Sequence, residues 1–406
     1  MLKGILLSLG MMVLTQTSII GQWEDISIPV SVTFSSVAFL DNSIGWICGG
    51  NEIYKTNDAG ENWELVYSGE AVVSIEEVIV INDTTLLAIG KNYESNLTEI
   101  LRSIDLGLSW TPIENTFYSS LFGVFFTDES VGFCVGTGGA VIRTGDGGLH
   151  WEQMNSGIKG NTFLQSVFFT DSLHGIAVGG LPGVAACIRT IDGGFNWEPV
   201  NVTSDQYLQS VFFINDQIGF IVGWGGEILV TRDAGVTWTP QTSVNMNGNL
   251  EIVFTNDTVG YIVGGMMNEA SIQKTYDQGM IWEETGPDIL HGLIAIDFPS
   301  LDIGYAVGGV GTILKTTNGG VTGIEKDQES LLLSLYPNPV SSTLTIAGVN
   351  DAITEVRLMD VSGKLLFSEK RNTDPFQIEM GEFLPGNYYV LVQQGSKRIV
   401  RKIVKM

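Results

Sequence analysis

The chain has 406 residues, 44% of them hydrophobic and 10% aromatic, with a formal net charge of -25 at pH 7. So acidic a balance opposes binding to nucleic acid or to an anionic membrane surface, and past the N-terminus no apolar run reaches the roughly 18 residues of a membrane-crossing helix. Three cysteines, Cys48, Cys134 and Cys187, are an odd number and lie in three different apolar strand patterns, so buried free thiols are expected and zinc or a catalytic dyad is not.

Residues 1–21 place Lys3 before an apolar run from Ile5 to Leu14, with Gly21 at the expected cleavage point. This reads as a secretory signal, the alternative being an uncleaved anchor, and no membrane insertion is expected once it is removed. The next segment, residues 22–30, begins Gln22-Trp23-Glu24.

From there to residue 323 one turn pattern recurs, Ser/Thr-x-Asp-x-Gly-x-x-Trp. It centres on Asp58, Asp105, Asp146, Asp192, Asp233 and Asp277, with a seventh copy at Asn318 that has Gly323 in place of Trp. The spacings of 47, 41, 46, 41, 44 and 41 residues correspond to one four-stranded blade per repeat, so the expected fold is an all-β, seven-bladed propeller over residues 22–323. Asp or Asn accepts hydrogen bonds from nearby amides and Gly permits a left-handed backbone. Asn318 keeps that geometry without the charge, so these residues are assigned a structural role and not a catalytic or metal-binding one.

The broken seventh copy predicts how the ring closes. In four intact copies Trp is followed by Glu, and one such pair, Trp23-Glu24, is left over at the other end of the repeat region. An N-terminal strand completing the last blade balances the count and pairs both sheet edges. Loop closure across so long a segment costs about 5 kcal/mol, which burial of Trp23 and ladder hydrogen bonds must offset.

With these residues in view, the turn resembles the Asp-box, or bacterial neuraminidase repeat. The longer pattern in residues 306–320, AVGGVGTILKTTNGG, resembles the photosystem II stability and assembly factor family of seven-bladed propellers. The resemblance covers roughly residues 22–323 and implies architecture more than activity, since the same repeat serves hydrolases and non-catalytic scaffolds.

Catalysis is not expected. The propeller has four arginines; Arg102, Arg143 and Arg189 share one repeat position with Lys55, Lys274 and Lys315, which spreads cations around the ring instead of converging them on a carboxylate. His150, His174 and His291 form no Ser-His-Asp or metal constellation. No metal and no cofactor is expected. The alternative function is a glycan-processing hydrolase, sialidase-like or xyloglucanase-like, with an unrecognised carboxylate pair among 35 acidic residues. The ring of cations has two readings, an acidic partner's site or pairing with acidic neighbours on the adjacent strand, and the second is favoured.

Binding is expected where the repeat breaks. Connections between second and third strands lengthen at residues 90–99, 179–186 and 264–271, on the face that carries the blade-to-blade crossings. Tyr93, Tyr118, Phe163, Tyr207, Trp224 and Met266 are the candidate contacts for a protein or glycan, or alternatively a plug at the channel mouth. Trp46 is expected in the core.

After a linker at residues 324–334 the pattern changes to short strands parted by Pro, Asn and Gly turns, a small immunoglobulin-like β-sandwich over 335–406. Here Pro337, Asn338, Pro339, Gly363, Gly386, Tyr388, Lys402 and Lys405 fall in motifs that resemble the type A sorting domain of the type IX secretion system. That resemblance implies engagement of the type IX machinery, passage through periplasm and outer membrane, and display on the cell surface or release. The basic run from Lys397 reads alternatively as a solvated edge strand. The expected protein is an exported, non-catalytic monomer that binds a protein or glycan.

Overall fold

A computed structural model describes residues 23–320 and 334–406, apart from residues 72, 96, 159, 242, 244–247, 267–268, 287–288, 338, 348–353, 361–364, 372–374 and 395–396. The expected signal at 1–21 lies outside the described residues, as do residues 324–333 of the expected linker, Asn338 and Gly363.

The chain is all-β, and seven four-stranded antiparallel sheets succeed one another along its first three quarters. Blade one is Ser36–Phe39, Gly45–Gly49, Glu52–Thr56 and Glu64–Ser68, and blade three is Leu121–Phe126, Gly132–Gly136, Val141–Thr144 and Glu152–Met154. The second strands Gly45–Gly49, Gly132–Gly136, Gly219–Gly223 and Gly304–Gly308 are buried along their whole length. They read as unbroken apolar runs because a neighbouring blade covers each face, which removes the polar alternation of a half-exposed strand. The core therefore lies between blades: Ile176 and Val178 of blade four pack with Val211, Ile221 and Leu229 of blade five.

Blade seven, Leu293–Asp297, Gly304–Gly308 and Ile313–Thr316, takes its outer strand from Glu24–Asp25. Glu24 stands opposite Lys315, as Glu64 does to Lys55, Glu152 to Arg143, Glu198 to Arg189 and Glu283 to Lys274. The leftover Trp-Glu pair thus occupies the register of its counterparts. Trp23 is 4% exposed and meets Tyr261 and Phe298 edge-on.

The recurrent turn is a closed hydrogen-bond circuit. In blade four Thr190 Oγ1 donates to Asp192 Oδ1 at 2.9 Å, Gly194 N donates to Thr190 Oγ1 at 3.0 Å, and Asn196 N donates to Asp192 Oδ1 at 2.9 Å. Blade seven repeats the first two bonds with Asn318, at 3.0 and 2.7 Å. The glycine of the turn also lets the preceding blade approach, since a Cβ on Gly194 would stand 2.2 Å from the Phe133 ring. Trp46 is fully buried and fills the same place over Gly107, as a core residue.

Residues 334–406 form two sheets around one core. Ser334–Tyr336, Thr343–Ala347 and Phe376–Glu379 make the first; Leu365–Arg371, Thr354–Asp360, Gly386–Gln394 and Lys397–Lys405, in that order, make the second. Leu344, Ile346, Val356, Leu358, Val390 and Ile403 meet between them. The first strand opens at Ser334, one residue inside the expected linker.

Candidate functional site

The two ends of the ring differ in what they repeat. One end carries the Asp turns and the other carries the second-to-third connections and the crossings. At the second end the structure corrects an expectation. In blades two, four and six the lengthened segments are continuations of the strands, which run to Asn92, Leu181 and Met266 and return from Thr98, Val184 and Glu269. Ladder pairs such as Gly180 with Ala185 and Leu181 with Val184 carry the sheet outward, so backbone bonds are satisfied that a free loop would leave to water. Blades three, five and seven close instead with 3-10 turns at Thr137–Gly139, Trp224–Gly226 and Gly309–Gly311.

Four of the six candidate contacts come together here. Phe163 opens the inner strand of blade four, Tyr207 directly precedes that of blade five, and Trp224 heads the blade-five turn. Ring centroids stand 6.1 Å apart for Phe122 and Phe163, 6.5 Å for Phe163 and Tyr207, and 5.9 Å for Tyr207 and Trp224. The Tyr207 hydroxyl accepts from Gln165 Nε2, which fixes the middle of the row. Tyr118, 77% exposed, and Phe163 line a cavity of about 410 Å³ with Ser119, Thr137, Gln153 and Asn161. Tyr93 stands apart on the blade-two hairpin, with Lys91 Nζ 5.3 Å from its ring centroid. Met266 ends the second strand of blade six, and its side chain is outside the described residues.

Side chains that the sequence did not single out line the channel. Six of the seven inner strands bear a β-bulge, and in blades two, four and six the residue after it reaches the next blade. Glu77 accepts from Val124 N at 2.7 Å, Glu251 from Ile296 N at 2.6 Å, and Ser166 Oγ from Val211 N at 3.3 Å. Asp297 accepts from Phe39 N at 2.7 Å across the closing seam. The three carboxyls are half-buried between the blades. Confinement pushes Glu77 and Glu251 up to about 8, Glu77 further raised by Glu251, and Asp297 to about 6. These groups satisfy edge amides of the next blade. Glutamate at a position that is Ser166 and Ser210 in sister blades was the available signal.

The ring of cations is accounted for differently from either expected reading. The acidic neighbours do stand across the ladder, but four of the heads bond to carbonyls of the next blade's Asp turn. Arg102 Nε donates to Gly147 O at 2.9 Å, Arg143 Nε to Gly193 O at 3.3 Å, Lys274 Nζ to Gly319 O at 2.6 Å and Lys315 Nζ to Ala59 O at 2.7 Å. These carbonyls point outward because the residue after Asp is left-handed, as at Ala59 with φ 60°. The cations join blades. Among the turn carboxylates, bonds from the Ser109 side chain and backbone hold Asp105 down to about 2.

The Asp-turn end also exposes apolar side chains: Ile104, Leu108, Leu149, Ile191, Phe195 and Val236 are each between 47% and 66% exposed. Reading these positions as turn chemistry alone missed that surface. His150 and His174 each hold a nearby aspartate, Asp146 at 2.6 Å and Asp171 at 2.8 Å, and do not converge. Among the described residues no group of three or more His, Cys, Asp or Glu is placed to hold a metal ion. Cys48, Cys134 and Cys187 are buried and unpaired.

In the C-terminal unit Tyr388 is 7% exposed and its hydroxyl donates to Leu384 O at 2.7 Å, tying down the turn that Gly386 follows. Lys405 ends the last strand, an edge strand, where Val340 N donates to Val404 O at 2.7 Å. Pro337 and Pro339 lie just before Val340 in sequence, and the Lys402 side chain is outside the described residues.

Comparison with known proteins bears on both units. Residues 103–204 and 192–285 match the family described as photosynthesis system II assembly factor YCF48, and residues 334–406 match the secretion system C-terminal sorting domain. No curated protein matches the chain. Among solved structures, YCF48 bound to D1 peptide superposes with a TM-score of 0.61 at 21% identity, over 73% of this chain and 97% of that one. YCF48 from Cyanidioschyzon merolae gives 0.58 at 20% identity, over 72% and 98%. The GH74 xyloglucanase from Xanthomonas campestris gives 0.60 at 14% identity, over 87% of this chain and 60% of that one. Likeness at these identities establishes the fold.

Proposed function

We propose that this YCF48-like repeat propeller, joined to a type IX secretion sorting domain, is a binding module that performs no chemistry on its ligand. Its sorting domain directs export through the type IX system to the cell surface or extracellular space. The observation that carries the binding role is the aromatic row from Phe163 to Trp224 beside the cavity at Tyr118. Rigid aromatic side chains supply contact area at small entropic cost, and here they sit where the blades stop repeating. The absence of chemistry is supported by the channel acids, which are occupied with blade-edge amides, and by arginines distributed around the ring.

A YCF48 structure holds a D1 peptide and a similar fold belongs to a xyloglucanase, so the ligand classes to separate are protein and glycan. The test is to incubate the mature chain with a broad glycan panel and a peptide panel, reading retention and ligand mass. Retention without a change of mass supports a binding module. Cleavage of any glycan overturns it, and turns attention to the acidic residues facing the channel.

A further inference from the structure

We infer that the cavity between blades three and four takes a sugar unit of a neutral glycan, whose chain continues along Phe163, Tyr207 and Trp224. This rests on the reading of that face as the binding surface and names the ligand it takes. Two aromatic side chains, Tyr118 and Phe163, line the cavity together with the hydroxyls of Ser119 and Thr137 and the amides of Gln153 and Asn161. A pyranose ring has an apolar C–H face, which packs on an aromatic ring, and a rim of hydroxyls that both donate and accept. Side-chain amides and hydroxyls offer both roles in return.

Charge narrows the class further. Among the described residues no Lys, Arg, Asp or Glu lines the cavity, and residues 22–323 hold 35 acidic against 9 basic side chains. A sialylated or uronate-rich glycan would meet an opposing field around the pocket. A peptide that docks by extending a sheet edge would have to displace Glu77 from Val124 N at the inner edge of blade three.

Shape points the same way. The rings form a row crossing from blade three to blade five, with neighbouring centroids about 6 Å apart, ending on Trp224 at 49% exposed. Neighbouring rings tilt against one another by 58°, 58° and 61°, so the row presents ring faces and edges in turn to a linear chain of sugar units.

The experiment is isothermal titration of the mature full chain with cellohexaose, mannohexaose and hexagalacturonate, beside a peptide array probed with the same protein. Asn161→Ala and Gln153→Ala change exposed side chains, and matched melting curves confirm that they fold. The inference expects saturable binding of a neutral hexamer, weakened about tenfold or more by Asn161→Ala, and weakened by Trp224→Ala more for the hexamer than for the matching disaccharide, cellobiose or mannobiose, titrated beside it. Failure of both neutral hexamers to bind overturns it, as does equally tight binding of hexagalacturonate or indifference to both amide substitutions. If no glycan binds but a peptide does, with loss in Trp224→Ala, the glycan is wrong and the binding face stands. If the bound ligand, of either kind, ignores all three variants, the binding face is wrong as well.

Discussion

The two ends of the propeller differ in what they hold constant. At the Asp-turn end every blade repeats one circuit, and even the copy with Asn318 for Asp keeps the bonds between Thr316 Oγ1, Asn318 Oδ1 and Gly320 N. At the other end no two successive blades close alike, since strand extensions alternate with 3-10 turns. The repeated end binds blade to blade: Lys315 reaches the Ala59 carbonyl, and Phe133 lies on Gly194. The variable end is free to change because its backbone bonds are satisfied locally in either closure. Contacts between blades are concentrated where the pattern repeats, and the proposed recognition lies where it breaks.

The largest effect that bears on this division is expected at the seam, where the repeated pattern is completed by a distant segment. Deleting residues 22–30 removes Trp23 and the Glu24–Asp25 strand and should lower the melting temperature strongly. Trp23→Ala alone should cost about 3–5 kcal/mol. An unchanged melting curve for the deletion would mean that the ring does not depend on this closure.

Next comes Gly194→Ala, where the Cβ meets Phe133 and φ is 80°, with an expected loss of about 1–3 kcal/mol in denaturant unfolding. Asp192→Ala should cost about 1–2 kcal/mol and Asp192→Asn much less, given Asn318 in blade seven. Equal loss in Ala and Asn would show that the turn needs the charge.

Smaller, and opposite in sign at the two places, are the effects of pH. Asp105 has a lowered value, so its contribution is present above the ordinary carboxylate range and is lost as pH falls through about 2. Glu77 and Glu251 have raised values, so their contribution is present below about 4.5 and is lost as pH rises through about 8. Melting temperature should therefore drop between pH 6 and 9, and drop less in the Glu77→Gln, Glu251→Gln double variant, which retains an acceptor for each amide. An identical drop in both proteins would remove the channel acids as its cause. Least of all should Trp224→Ala alter stability, by about 0.5 kcal/mol or less, although it lies on the aromatic row.

Much of this division was legible in the sequence, and for a physical reason. A turn needing Asp or Asn, a left-handed residue and Gly in fixed order leaves a mark on the chain, and the stray Trp23-Glu24 pair betrayed the closure. Contacts between blades left weaker marks. That Arg102 reaches the Gly147 carbonyl, or Glu77 the Val124 amide, depends on parts of the chain 45 and 47 residues apart meeting at one angle. Glu77 resembles any of 35 acidic residues until the bulge is seen. The aromatic candidates were chosen for breaking the repeat, which gathered Tyr118, Phe163, Tyr207 and Trp224 but also included Tyr93, which stands apart. Ile104, Leu108 and Phe195 were overlooked because they occupy the variable places of the turn, where no bond constrains the residue.

The most direct measurement of the central claim compares one substitution from each end at matched stability. Ligand affinity would be read for Asn161→Ala, beside the aromatic row, and for Asp192→Asn, in a repeated turn. The account predicts that affinity falls about tenfold or more in the first and stays within about twofold in the second. Loss in Asp192→Asn with affinity intact in Asn161→Ala would place recognition on the repeated end and contradict it.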